Sequence, residues 1–147
     1  MSGYDAALAD RQRSLTAAIL GLDQPPSDDL TVVRIVRNRL HTRAIGALQA
    51  AGLDAKSLSR IIPRRTLEHR RQKGESLSLE ESERAYRTAS VVALAEAVFG
   101  NRDKALSWLN APKERFGGET AMDLVDTGVG ARLVEDALIQ IDEGYFA

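Results

Sequence analysis

Five cations, Arg64, Arg65, Arg70, Arg71 and Lys73, fall within the ten residues "RRTLEHRRQK" around the single apolar side chain of Leu67. Guanidinium groups at this density bind phosphate oxygens or the paired acceptors of guanine. The chemistry on offer is therefore nucleic-acid contact, or else plain solvation of a surface helix. Stepping about 100° per residue from Leu67 as the inward direction points Arg65, His69 and Gln72 within roughly 40° of straight outward. Arg64, Arg70 and Arg71 flank the buried side. In a helix that enters a DNA groove, Arg64 and Arg65 would bind guanine, and Thr66 or His69 would touch base or phosphate. Arg70, Arg71 and Lys73 would take phosphates.

Other chemistry finds little support. There are no cysteines, which excludes disulfides, thiol catalysis and Cys-based zinc sites. The two histidines, His41 and His69, sit in basic surroundings that disfavour a metal cation, so no metal ligands are expected. Glu80, Glu81 and Glu83 resemble paired catalytic acids, but acids at a helix start answer the helix dipole. Gly128 and Gly130 lack the strand and the remaining glycine of a dinucleotide fingerprint and read as a turn into a helix. No nucleophile elbow surrounds any serine. The expectation is a protein with no catalytic residues and no cofactor.

The net charge of −1 hides an asymmetry. From Arg34 to Lys73 eleven cations face two acids, whereas from Gly74 to Ala147 seven cations face fourteen acids. A basic segment of this kind suits a polyanion and leaves the acidic half for something else. The hydrophobic content of 44% and charge content of 28% are those of a globular chain, which argues against wholesale disorder. The first 30 residues lack a signal-peptide pattern, and the longest nearly apolar run, Ser90 to Gly100, is too short to span a bilayer. A soluble, cytoplasmic protein is the default expectation.

The elements that must carry these residues read as helices, about eight of them, with almost no strand alternation. Leu15, Ala18, Ile19 and Leu22 mark a first helix ending near Gly21. "DQPPSDD" is a loop in which Ser27 or Asp28 can cap the next helix. "LTVVRIVRNRL" fits helix better than a short strand. "TRAIGALQAAG" stops at Gly52, and Asp54 can cap "AKSLSRII". Pro63 suits a first helical position, because the missing N–H would be unpaired there anyway. Gly74 ends the basic helix. Ser78 and Glu81 have capping-box spacing, and their helix runs to Gly100 with a second half apolar nearly all round. Asn101 caps "RDKALSWLN", in which Trp108 and Leu109 are either core or a partner-binding anchor. "GGETAMDLVDTG" holds a short helix. Val134, Ala137, Leu138, Ile141 and Tyr145 give the last helix one buried stripe. "AKSLSRII" followed by "PRRTLEHRR" has the layout of a helix-turn-helix with a compressed turn.

From about residue 48 to residue 146 the chain resembles the Xre/MbcA/ParS-type antitoxin family. Arg65, Thr66, Leu67 and Arg70 carry an R-T-L-x-x-R helix, and Leu77 to Arg84 an L-S-x-E-E-S-x-R segment. Val98-Phe99-Gly100 follows, then Ala105, Trp108, Leu109 and Pro112, and the Gly117-Gly118 pair. Leu124, Thr127, Gly130, Val134, Leu138, Ile141 and Gly144 complete the order. The chain departs from the family at Ala121, where proline is usual, and at Phe116, where leucine is usual. Residues 1–29 match nothing in it.

The resemblance implies an all-α antitoxin of a type II toxin–antitoxin pair. Residues 29–76 would be an Xre-like helix-turn-helix region that binds double-stranded operator DNA and represses its own operon. Residues 77–147 would dimerise and neutralise a RES-domain toxin, a class that consumes NAD⁺ or transfers ADP-ribose from it. Residues 1–28 would be a helix and linker of open role. In relatives the C-terminal end reaches the toxin's NAD pocket, which on this chain points to Ile141, Asp142, Glu143, Gly144, Tyr145, Phe146 and Ala147. Acidic Asp142 and Glu143 would complement the cations that such a pocket needs for pyrophosphate. Tyr145 and Phe146 either anchor in the partner or fold back on their own core. The competing expectation is a helical regulator without a toxin, or a neutraliser that binds only protein and keeps the basic helix as solvated surface.

Overall fold

The computed structural model describes residues 4–144, and these fold into nine α-helices and one 3-10 turn with no strand. The order is α1 (Ala6–Leu20), α2 (Asp29–Arg37), α3 (Arg43–Ala50), α4 (Ala55–Ile61), α5 (Arg64–Lys73), α6 (Leu79–Phe99) and α7 (Arg102–Asn110). A 3-10 turn (Glu114–Phe116), α8 (Ala121–Leu124) and α9 (Gly128–Asp142) follow. The all-α architecture is the expected one. None of the described helices is long and apolar enough to cross a membrane.

Short polar side chains open most of these helices, because the first N–H groups of a helix have no partner within it. Asp5, Asp28, Asp54, Ser78, Asn101, Thr120 and Thr127 each accept a hydrogen bond from a first-turn backbone N–H. Of the two candidates in the first loop, Asp28 caps α2, accepting from the Thr31 N–H at 2.8 Å. Ser78 and Glu81 close the expected capping box, and Thr120 with Asp123 forms a second one. One expectation needs correction. Pro63 lies just outside α5 with extended backbone, and the helix begins at Arg64. Proline pushes the residue before it out of helical geometry, so Ile62 is extended too and α4 ends at Ile61. Those two extended residues are the whole turn.

The core forms around α6. Val91, Val92, Ala93, Leu94 and Ala95 are five consecutive residues with no exposed surface, so α6 must be covered on every side. Ile19 and Leu20 of α1, Leu48 of α3, Ala105 and Leu109 of α7, and Val134, Ala137 and Leu138 of α9 join the same cluster. Helix α1 also docks by a polar bond. The Gln12 side-chain amide donates to Ser90 O at 2.9 Å and to Ser90 Oγ at 3.0 Å. The N-terminal helix, unassigned from sequence, is therefore a wall of the shared core. Helix α2 packs on the core less deeply, through Val32, Ile35 and Val36. It carries Leu30, Val32, Val33, Ile35 and Val36, and none of its residues is buried.

Helix α9 begins where the chain turns back at Leu124, and the fit there is tight. A Cβ built on Gly130 would lie 1.8 Å from the Leu124 carbonyl oxygen. No rotamer change relieves a clash with backbone, so α9 can start here only with glycine. Gly46, inside α3, has open space around its Cβ position. Gly130→Ala should lower stability by about 2 kcal/mol or more, whereas Gly46→Ala should raise it by about 0.5–1 kcal/mol through helix propensity. Urea denaturation monitored by circular dichroism checks both; equal small effects would mean that the α8–α9 turn is loosely packed.

Candidate functional site

Helix α5 touches the rest of the molecule through few groups, and each is identifiable. Leu67 is buried beside Ile61 and Ile62, the anchor expected of its only apolar side chain. The second attachment is ionic. Arg70 Nε lies 2.7 Å from Glu81 Oε1 and Nη2 lies 3.1 Å from Oε2, a two-bond clasp between α5 and the first turn of α6. Glu81 Oε1 also accepts the Ser78 N–H at 2.7 Å, so one carboxylate closes the capping box and holds α5. Burial pushes the Glu81 carboxyl toward higher pKa. The bonds from Arg70 and Ser78 outweigh that and hold it below the usual carboxylate range.

Arg65, His69 and Gln72 face outward as the helical projection has it, while Arg64 and Arg71, placed by it beside the buried side, are exposed as well. Arg64, Arg65, His69, Arg71, Gln72 and Lys73 are exposed, and Thr66 is half-buried near the N-terminal end. Arg64 pairs only loosely with Glu68, at 3.4 Å between exposed groups. Arg70 differs from the others. Its guanidinium is turned inward to Glu81 and lies 3.7 Å from Glu75, leaving Arg71 and Lys73 as the open cations at that end of the helix.

Arginines also fix α4 and the turn beneath α5. Arg84 of α6 donates through Nε and Nη2 to the Ile61 carbonyl at 3.0 and 2.9 Å, satisfying the C-terminal end of α4. Arg60 of α4 reaches forward to α8, pairing with Asp123 and donating to Met122 O at 3.0 Å. Arg87 donates to Val125 O and Asp126 O, both at 2.9 Å, which ties α6 to the loop before α9. None of these roles was visible in sequence spacing. Arg60 and Asp123 are 63 positions apart, and no local pattern pairs them.

The other expected site lies at the end of α9. Ile141 is half-buried, while Asp142, Glu143 and Gly144 are exposed. Tyr145, Phe146 and Ala147 lie outside the described residues. Trp108 is half-buried in an aromatic cluster, with Phe99 at 5.9 Å and Phe116 edge-on at 6.2 Å between ring centroids. Lys113 Nζ sits 4.3 Å from the Trp108 ring centroid, and burial pulls its pKa down. Phe116, which stands where leucine is usual in the resembling family, fills this cluster with its ring.

Residues 31–90 match the antitoxin Xre-like helix-turn-helix domain, and residues 94–144 match the antitoxin Xre/MbcA/ParS C-terminal toxin-binding domain. Among curated proteins the chain is 38% identical over 133 residues to an antitoxin Xre of Pseudomonas putida, covering 90% of this chain and 84% of that protein. It is 33% identical over 87 residues to an antitoxin Xre of Yersinia enterocolitica, covering 58% of this chain and 59% of the relative.

The Arg60–Asp123 pair has a consequence in acid. Hydrogen bonding from Arg60 holds the Asp123 carboxyl at about 2 against an ordinary 3.8. A carboxylate with a lowered folded pKa stabilises fully above its ordinary value and stops doing so as pH falls through the folded one. The pair's contribution should be complete above about pH 4 and vanish toward about pH 2. Acid titration of the unfolding free energy should therefore show a slope in this window that Asp123→Asn flattens. An unchanged slope would mean that the pair adds nothing.

Proposed function

The chain belongs to the Xre/MbcA/ParS antitoxin family, and on that premise we propose that it is the antitoxin of a type II toxin–antitoxin pair that binds operator DNA through α5. The observation that carries the DNA half is the presentation of α5. Its outward face holds Arg65, His69 and Gln72, and its inner face is fixed by Leu67 and the Arg70–Glu81 clasp. A side chain that reads base edges must be held by a rigid element, and here the element is held at both its middle and its end. Arg64, Arg65 and Thr66 occupy the N-terminal end that enters a major groove, with Arg71 and Lys73 placed for phosphates. Arg70 serves this reading as a positioning residue.

The partner in this reading is a RES-domain toxin that consumes NAD⁺. The mechanism is occlusion of its active site by the C-terminal module, with the segment from Ile141 to Ala147 entering the pocket. Asp142 and Glu143 are exposed and acidic, which supports their meeting a pocket built for pyrophosphate. The chain then works without catalysis of its own, in the cytoplasm, and represses its own operon. Division at residues 29–76 and 77–147 belongs to the same proposal. So does a homodimer, which twofold operator reading requires and which the uncovered Leu30, Val33 and Leu79 support.

A neutraliser that binds protein alone draws support from Arg60 and Arg70, because both spend their charge inside the molecule. Fluorescence anisotropy with the chain's own promoter across a salt series separates the two. Specific binding near ~10⁻⁸ M with a steep salt slope is expected for the DNA-binding antitoxin. Arg65→Ala should relax base preference at a cost of about 1–3 kcal/mol, while Lys73→Ala should weaken all sequences alike. Binding no tighter than to random DNA would remove α5 from the mechanism.

A further inference from the structure

Six large hydrophobic side chains stand exposed among the described residues: Tyr4, Leu30, Val33, Leu79, Val129 and Leu133. Only Val129 and Leu133 fall inside the stretch that matches the toxin-binding domain, and both lie on α9. They are four residues apart and so share one face of the helix. Val129 is 67% exposed and Leu133 is 53% exposed, which is more than half of each side chain left in water on a helix whose opposite face is fully packed.

Stepping about 100° per residue from Leu133 places Val129, Ala137 and Gln140 within roughly 40° of it. Ala137 is buried and Gln140 accepts a hydrogen bond from Arg115 Nη2 at 2.9 Å, so the apolar ridge is Val129 and Leu133 at the start of the helix. Exposed Arg132 and Asp136 flank it as a polar rim. The start of the ridge is rigid. Thr127 Oγ1 accepts the Gly130 N–H at 3.0 Å, and Gly130 packs so closely on the Leu124 carbonyl that the first turn has no freedom to shift. An apolar anchor held this way loses little entropy on docking.

We propose that Val129 and Leu133, at the start of α9, are the apolar anchors by which the toxin is gripped. The occupant is the toxin, presenting an apolar groove rimmed by cations for a helix face. The match of this helix to a toxin-binding domain, with exposed Leu30, Val33 and Leu79 lying outside that match, selects it over a second copy of the chain. This inference rests on the toxin reading given above.

The test uses the full chain and a catalytically inactive form of the RES-domain toxin that the proposed function assigns to it, with affinity measured by biolayer interferometry. Val129→Glu and Leu133→Glu should each weaken binding by about 30-fold or more, the loss of a hot-spot anchor. Operator affinity and melting temperature should stay at wild-type values, and Ala18→Glu on the exposed side of α1 should bind toxin normally. A photo-crosslinking amino acid at position 129 should capture the toxin. Variants that bind as tightly as wild type, or cross-links only to a second copy of this chain, would overturn the ridge and leave the toxin reading standing. A wild-type chain that does not bind the RES-domain protein would overturn the reading itself and the ridge with it.

Discussion

Everything in this molecule is arranged around the burial of one helix on all sides. Five consecutive residues of α6, Val91 to Ala95, have no contact with solvent, and a helix has no face that one neighbour can cover alone. Helices α1, α2, α3, α4, α7 and α9 all pack against it. The matched helix-turn-helix domain ends at residue 90 and the matched toxin-binding domain starts at residue 94. Their junction thus lies within the buried run of α6. The two units share a core, and neither can be displaced without opening it. Helix α1, which precedes both matches, contributes Ile19 and Leu20 to that core and completes the cover.

Around this spine, arginine does two opposite jobs. Arg60, Arg70, Arg84 and Arg87 point inward or along the surface and satisfy carbonyls and carboxylates that helix ends would leave bare. Their planar forks suit paired acceptors. Arg64, Arg65 and Arg71 point out into solvent, with Arg64 loosely paired to Glu68. Removing Glu81 would leave Arg70 without its clasp and free the end of α5 from α6, so a residue outside α5 governs how the basic helix is presented. Interactions of this buried, bidentate kind do more for orientation than for net stability, because desolvation offsets much of the attraction.

Most of the fold was legible in the sequence where the signal was local. Asp54, Ser78 with Glu81, and Asn101 start helices, and Gly21, Gly74 and Gly100 stop them, because the chemistry of a helix end is settled within four residues. The outward set Arg65, His69 and Gln72 followed from Leu67 alone. What escaped is long-range or subtractive. The Arg60–Asp123 pair joins distant parts of the chain, Arg70 looked like its neighbours until Glu81 was placed beside it, and α2 gave no sign that Leu30 and Val33 would stay exposed. Val129 and Leu133 were hidden for the same reason, since only a packed structure distinguishes an apolar residue in the core from one left on the surface.

On the proposed function, a shared core with α5 on one surface and α9 on another would let one molecule hold DNA and toxin at once. The direct measurement is the mass, by light scattering after size exclusion, of the complex formed from labelled operator, this chain and inactive toxin at saturating concentrations. The account predicts a single species containing all three components. Separate antitoxin–DNA and antitoxin–toxin species, with toxin driving the operator off, would contradict it.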